Sequence, residues 1–210
     1  MSKSIDSSDE ITSTVAFVVF LLTNLVPVAG IVLWDWGGGA LVMYYWFENV
    51  VVGLCTIPKI MTAGGQAELS DQNNPTTRSV HAFRFILFFG MFALAHAVLI
   101  VLLFFSGLFD PDTPPIDIEA LFDVFHIGFV VGIAMMVVQH VTEALSDQRH
   151  LHQLPSEVSR EPYQRLVGLH VVLIVGALAL VRWDNPMVGL IILVALKMGI
   201  EMYQVHRQNR

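Results

Sequence analysis

Apolar residues fill six stretches of about 20 residues each, the length of helix that crosses the hydrocarbon core of a bilayer. They run over residues 14–34, 40–60, 80–105, 118–145, 163–181 and 187–205. Polar punctuation divides them. WDWGGG at 34–39 ties the first two into a hairpin, and a Gly-, Gln-, Asn- and Pro-bearing segment at 62–78 precedes the third. FDPDTPPID at 109–117 precedes the fourth, the charged loop SDQRHLHQLPSEVSREP at 146–162 the fifth, and RWDNP at 182–186 the sixth. In lipid every backbone polar group must be satisfied within its own segment, so stretches of this kind predict helices. The pattern predicts an all-α polytopic bundle of six transmembrane helices. Residues 1–210 would form a single integral membrane domain, with a short polar tail at 1–12.

Charge sets the expected orientation, because short cytoplasmic loops carry the excess of Lys and Arg. With six spans, Lys3, Lys59, Arg78, Arg149, Arg160, Arg207 and Arg210 fall on one side, with Arg84 and Arg165 close to it. Only Arg182 falls opposite. The loop holding Asp110, Asp112, Asp117, Glu119 and Asp123 has no positive charge and is expected outside. Both termini are then expected to be cytoplasmic, in a multipass protein of the cell's cytoplasmic membrane. Trp34, Trp36 and Trp183 collect at the expected outer interface, where amphipathic rings sit at headgroup depth. The opening residues MSKSIDSSDE are polar and acid-rich, unlike the basic start of a cleavable signal, so the first helix is expected to be retained.

Composition removes several classes. At 55% hydrophobic and 14% charged residues, the chain is too apolar for an ordinary soluble domain. A formal charge of -7 without a Lys/Arg cluster excludes nucleic acid as a partner. Cys55 is the single cysteine and lies in an apolar run, so neither a disulfide framework nor a cysteine zinc site is available. There is no G-x-S-x-G elbow, no phosphate-cradling loop after a strand and no HEXXH.

Candidate chemistry comes from ionisable residues inside the apolar stretches. Such groups are expensive in lipid and normally face the bundle interior with a partner. Helical rise places Glu48, His96, His170 and Lys197 near the midplane, each from a different helix. Glu201 follows Lys197 at i+4. The predicted polar core is Glu48, Asn49, His96, Arg165, His170, Lys197 and Glu201, with His140, Glu143, Tyr163 and His206 in secondary positions toward the cytoplasm. Arg84 and His81 extend that column, while His81, His150, His152 and His206 are expected to be solvated.

Three functions fit these residues. The first is binding or transport of a small solute, ion or proton, with Glu48 and Glu201 titrating and Lys197 as counter-charge. The second is an intramembrane metal-dependent enzyme acting on a lipid or other apolar substrate. Its divalent metal would take Glu48, His96, His170 and Glu201 as ligands, with Lys197 or Arg165 orienting a headgroup. Third comes a membrane scaffold or complex subunit, in which Lys197 and its carboxylate only fix helix register. The lipid bilayer is the expected partner. Gly128, Gly132, Gly189 and Gly199 would allow close helix approach, within one chain, in a homo-oligomer or against another membrane protein.

Four strings fall on these midplane residues: YYWFENVVVG at 44–53, GMFALAH at 90–96, PYQRLVGLH at 162–170 and KMGIEMYQVH at 197–206. Together they resemble a prokaryotic family of multipass membrane proteins, domain of unknown function 6498. The resemblance runs from the second stretch to the end, and its W-x-E-N, Y-x-R-x4-H and K-x3-acid motifs carry it. It implies a shared polar core and supplies no reaction.

Overall fold

The computed structural model describes residues 25–65, 75–105, 116–160, 162–168, 170–171, 191–192 and 194–199. Among the described residues there are helices and turns and no strand. Helix α1 is seen over 25–33, followed by α2 (Gly38–Thr62), α3 (Pro75–Phe104), α4 (Ile118–Asp123) and α5 (Ile127–Ser146). A single 3₁₀ turn (Arg149–His152) and the short α6 (Pro155–Val158) come next. The helical residues 162–168 with 170–171 form α7, and 191–192 with 194–199 form α8. Among the described residues three helices are long and apolar enough to cross a membrane, over Gly38–Thr62, Thr76–Phe104 and Ile127–His152. The first half of the first predicted span, the join between the fifth and sixth, and the end of the sixth lie outside the described residues.

Three predicted boundaries change. α3 begins at Pro75 rather than at 80. Proline suits the first helical turn, where its missing N–H has no partner to lose, so the helix extends past the apolar stretch through polar residues. The predicted span 118–145 is two helices. Asp117 caps α4 by accepting from the Ala120 amide at 2.9 Å, and His126 then takes an extended conformation (φ -65, ψ 166) as the residue preceding α5. Apolar residues on both sides of that break hid it. The charged loop 146–162 contains the 3₁₀ turn and α6.

α2 is the axis of the bundle. Its partner α3 runs antiparallel: Gly39 meets Phe105, the Trp46 indole N–H donates to the Ala93 carbonyl at 2.8 Å, and Gly53 meets Phe89. A Cβ at position 53 would run into the Phe89 ring, so this close approach requires glycine. α5 runs parallel to α2, with Gly132 against Tyr44, His140 against Glu48 and Asp147 against Lys59. α1 is antiparallel to α5, since Val26 meets Gly132 and Trp34 meets Gly128. α7 runs with α3: Tyr163 packs on Phe85 and Phe89, and His170 packs on His96.

The larger core gathers Trp36, Leu41, Tyr44, Tyr45, Phe129 and Met136; the smaller one gathers Ile60, Phe85, Phe89 and Val158. Between them the outer face of α3 leaves Phe83, Leu87, Met91, Leu94 and Val98 exposed to the surroundings. An apolar face of that extent suits lipid and not water.

Each end of the bundle is fastened. At one, Asp35 adopts a left-handed conformation (φ 55), which a short polar side chain tolerates, and the Trp34 and Trp36 amides both donate to the Gly30 carbonyl at 3.1 and 3.0 Å. At the other, Lys59 pairs with Asp147 at 2.8 Å and the Gly65 amide donates to the Gln153 carbonyl at 2.9 Å.

Candidate functional site

Glu48 lies ten residues from the start of α2 and fourteen from its end, about 15 and 21 Å along the axis. Apart from Asn49, its neighbours on α2 are apolar and aromatic, and it is buried. A carboxylate there needs a counter-charge. Lys197 of α8 supplies one, with Nζ 2.8 Å from Oε2 and 3.0 Å from Oε1. The same ammonium stands 4.9 Å from the centre of the Tyr45 ring, a cation–π contact that helps to place it.

The opposite side of Glu48 faces α5. Parallel packing, registered by Gly132 on Tyr44 and Asp147 on Lys59, sets His140 level with Glu48. Both ring nitrogens meet carboxylates: Nε2 lies 3.6 Å from Glu48 Oε1, and Nδ1 lies 3.4 Å from Glu143 Oε2. Gln139 donates to Glu143 Oε1 at 2.8 Å, a same-face i, i+4 bond. Arg165 of α7 is near enough to act electrostatically on His140 and Glu143. Glu48 and His140 are both buried, at 11% and 9% side-chain exposure, whereas Glu143 is 55% exposed. The buried charge is therefore joined to the protein surface by a carboxylate–imidazole–carboxylate sequence.

His96 and His170 form a separate pairing, with ring centroids 4.0 Å apart and His96 Nε2 3.2 Å from His170 Nδ1. His96 Nδ1 lies 2.7 Å from the Phe92 carbonyl and His170 Nδ1 lies 3.0 Å from the Leu166 carbonyl. A carbonyl can only accept, so each Nδ1 carries the proton, and His96 Nε2 accepts from His170. The single Nδ1–H of His170 is thus shared between the Leu166 carbonyl and His96 Nε2.

The sequence-predicted residues therefore divide. Glu48 and Lys197 meet each other, Arg165 joins the His140 and Glu143 group, and His96 meets His170. Asn49 turns back to its own helix, donating to the Tyr45 carbonyl at 2.8 Å. Tyr163 packs with Phe85 and Phe89. Glu201 and His206 lie outside the described residues. Of the four residues weighed as metal ligands, Glu48 contacts Lys197 and His140 while the two histidines contact each other. Among the described residues no group of three or more His, Cys, Asp or Glu side chains is arranged to hold a metal.

Two residues escaped sequence reasoning. Gln139 immediately precedes His140, and only the helical spacing to Glu143 signals its role. His126 was hidden by reading 118–145 as one helix. It accepts from the Trp36 indole N–H at Nε2 (3.0 Å), while its Nδ1 lies 3.0 Å from the Val124 carbonyl.

The family model DUF6498, described as a family of unknown function, matches residues 6–210. No curated protein and no solved structure matches the chain.

Proposed function

The chain belongs to this family of unknown function, and from its geometry we propose a six-helix protein of the cytoplasmic membrane whose buried ionisable core binds or transports a small solute, ion or proton. The observation that carries this reading is the Glu48 carboxylate, held by Lys197 at mid-helix and contacted by a histidine that leads to the surface. A pair that served only to fix register would need two charges and no connection outward. Six spans with both termini inside are supported by the alternating directions of α1, α2, α3, α5 and α7. Lys59 and Arg149 at one end of the bundle and Trp34 and Trp36 at the other fit the same orientation.

The metal-dependent enzyme retains one supporting observation. The 3.2 Å between His96 Nε2 and His170 Nδ1 is close to the edge of a tetrahedral site with metal–nitrogen bonds of about 2.0 Å. His170 Nδ1 is nonetheless 3.0 Å from a carbonyl oxygen, which makes that nitrogen a donor rather than a ligand. Solute or proton handling is the better supported.

Charge movement decides it. Purified protein in proteoliposomes adsorbed to a solid-supported membrane would be exposed to a pH jump and to jumps in small organic anions, cations and amino acids. Wild type is expected to give transient currents that disappear in a Glu48→Gln variant eluting at the same volume. Currents equal to those of empty liposomes for every jump would leave the scaffold reading in its place.

A further inference from the structure

We propose that His140 carries protons between the buried carboxylate of Glu48 and the exposed carboxylate of Glu143, so that Glu48 exchanges protons with the end of the bundle marked by Lys59 and Asp147. The inference rests on Glu48 being a titrating centre, and adds the cargo, the route and the side.

Three features of the geometry support it. His140 contacts both carboxylates, and it does so through opposite ring nitrogens, the arrangement that lets imidazole take a proton on one atom while giving one from the other. Glu143 is the exposed end of the file, Glu48 and His140 both being buried. The anchors at the two ends of α2 and α5 fix the level at which the ring stands, so His140 cannot slide past Glu48 without breaking Lys59 from Asp147.

The transfer conserves protons. A proton on Glu143 moves to Nδ1 of a ring protonated at Nε2, and the Nε2 proton moves to Glu48 Oε1. One proton enters, one leaves, and the ring changes tautomer; return of a proton through the ring, or its rotation, resets it. At 3.4 and 3.6 Å both contacts exceed a formed hydrogen bond by about half an ångström, a gap that side-chain motion closes. The groups facing the ring are Glu48 on α2, Glu143 and Gln139 on its own helix and Arg165 on α7, with Lys197 of α8 behind Glu48. Once Glu48 is neutral, the carboxylate that meets the Lys197 ammonium has lost its charge, and proton entry is thereby coupled to that cation through their shared contact.

Infrared difference spectroscopy after a pH jump on the full chain in nanodiscs tests this. The protonated-carboxyl band of Glu48 is identified by its loss in Glu48→Gln. The band is expected to rise about 100-fold more slowly in His140→Gln than in wild type, as removal of a positioned proton carrier does. Glu143→Gln, at an exposed position that leaves folding intact, should slow it as well. Added imidazole should restore the rate in His140→Ala, which a purely positioning role for His140 would not allow. Wild-type rates in both His140→Gln and Glu143→Gln would overturn the relay while leaving Glu48 as a titrating centre. Slowing without rescue by imidazole would also overturn it, reducing His140 to a positioning residue. Absence of any Glu48 band in wild type would overturn the titrating centre itself, and the relay with it.

Discussion

Lys197 closes on both carboxylate oxygens of Glu48, at 2.8 and 3.0 Å, across 149 residues of sequence. A contact of this length in sequence and brevity in space fixes α8 on α2. It also divides structural from functional roles, because the two roles respond differently to removing one charge and to removing both.

Lys197→Met alone strands a buried carboxylate and should cost about 3–5 kcal/mol, the range for breaking a buried ion pair. Glu48→Gln alone removes the carboxylate charge that meets the ammonium and should cost a similar amount. The double variant removes both charges and is expected to regain most of the lost stability, read as the midpoint of thermal unfolding in detergent. Its charge movement should stay absent. Recovery of both stability and current in the double variant would show that the pair does no more than hold helices.

The pairing was legible in the sequence as far as residue type and depth go. Glu48, His96, His170 and Lys197 stood out because ionisable groups are rare inside apolar stretches, and their levels followed from helical rise. Partner choice was not legible. That Lys197 meets Glu48, 149 residues away, is determined by tertiary packing. His140 reads as secondary in the sequence because helical rise puts it toward the cytoplasmic side of the midplane; its contact with Glu48 depends on α2 and α5 running parallel at a register set far away, by Gly132 and Asp147. The break before α5 is hard to read from hydrophobicity, since Phe122, Phe125 and Ile127 flank it closely; it lies where His126 leaves the helical conformation.

The pairing of His96 with His170 gives a second expectation. Elemental analysis of purified wild type should find no stoichiometric transition metal, and chelation should leave the unfolding midpoint unchanged. His96→Ala removes one of the two acceptors of the His170 Nδ1–H, the Leu166 carbonyl remaining, and should cost about 0.5–1.5 kcal/mol, as loss of one neutral hydrogen bond does. Stoichiometric zinc, iron or manganese that vanishes in the His96→Ala, His170→Ala double variant would instead make the pair part of a metal site completed by residues outside those described.

His126 carries the last expectation, at the end of the bundle away from Lys59. Trp36 is 2% exposed, and its indole N–H finds its acceptor in His126 Nε2 at 3.0 Å. That bond ties the α1–α2 turn to the residue where α5 begins, so it holds the level of α5 against α2 and, through it, the level of His140 against Glu48. Replacing His126 by Phe keeps a ring but leaves the indole donor without a partner, at a cost of about 1–3 kcal/mol. His126→Gln retains an acceptor of similar reach and should recover part of the loss. Thermal unfolding of the three proteins orders them as wild type, Gln, Phe if the hydrogen bond matters. Equal stability of Phe and wild type would mean that ring packing against Trp36 suffices to join the two elements.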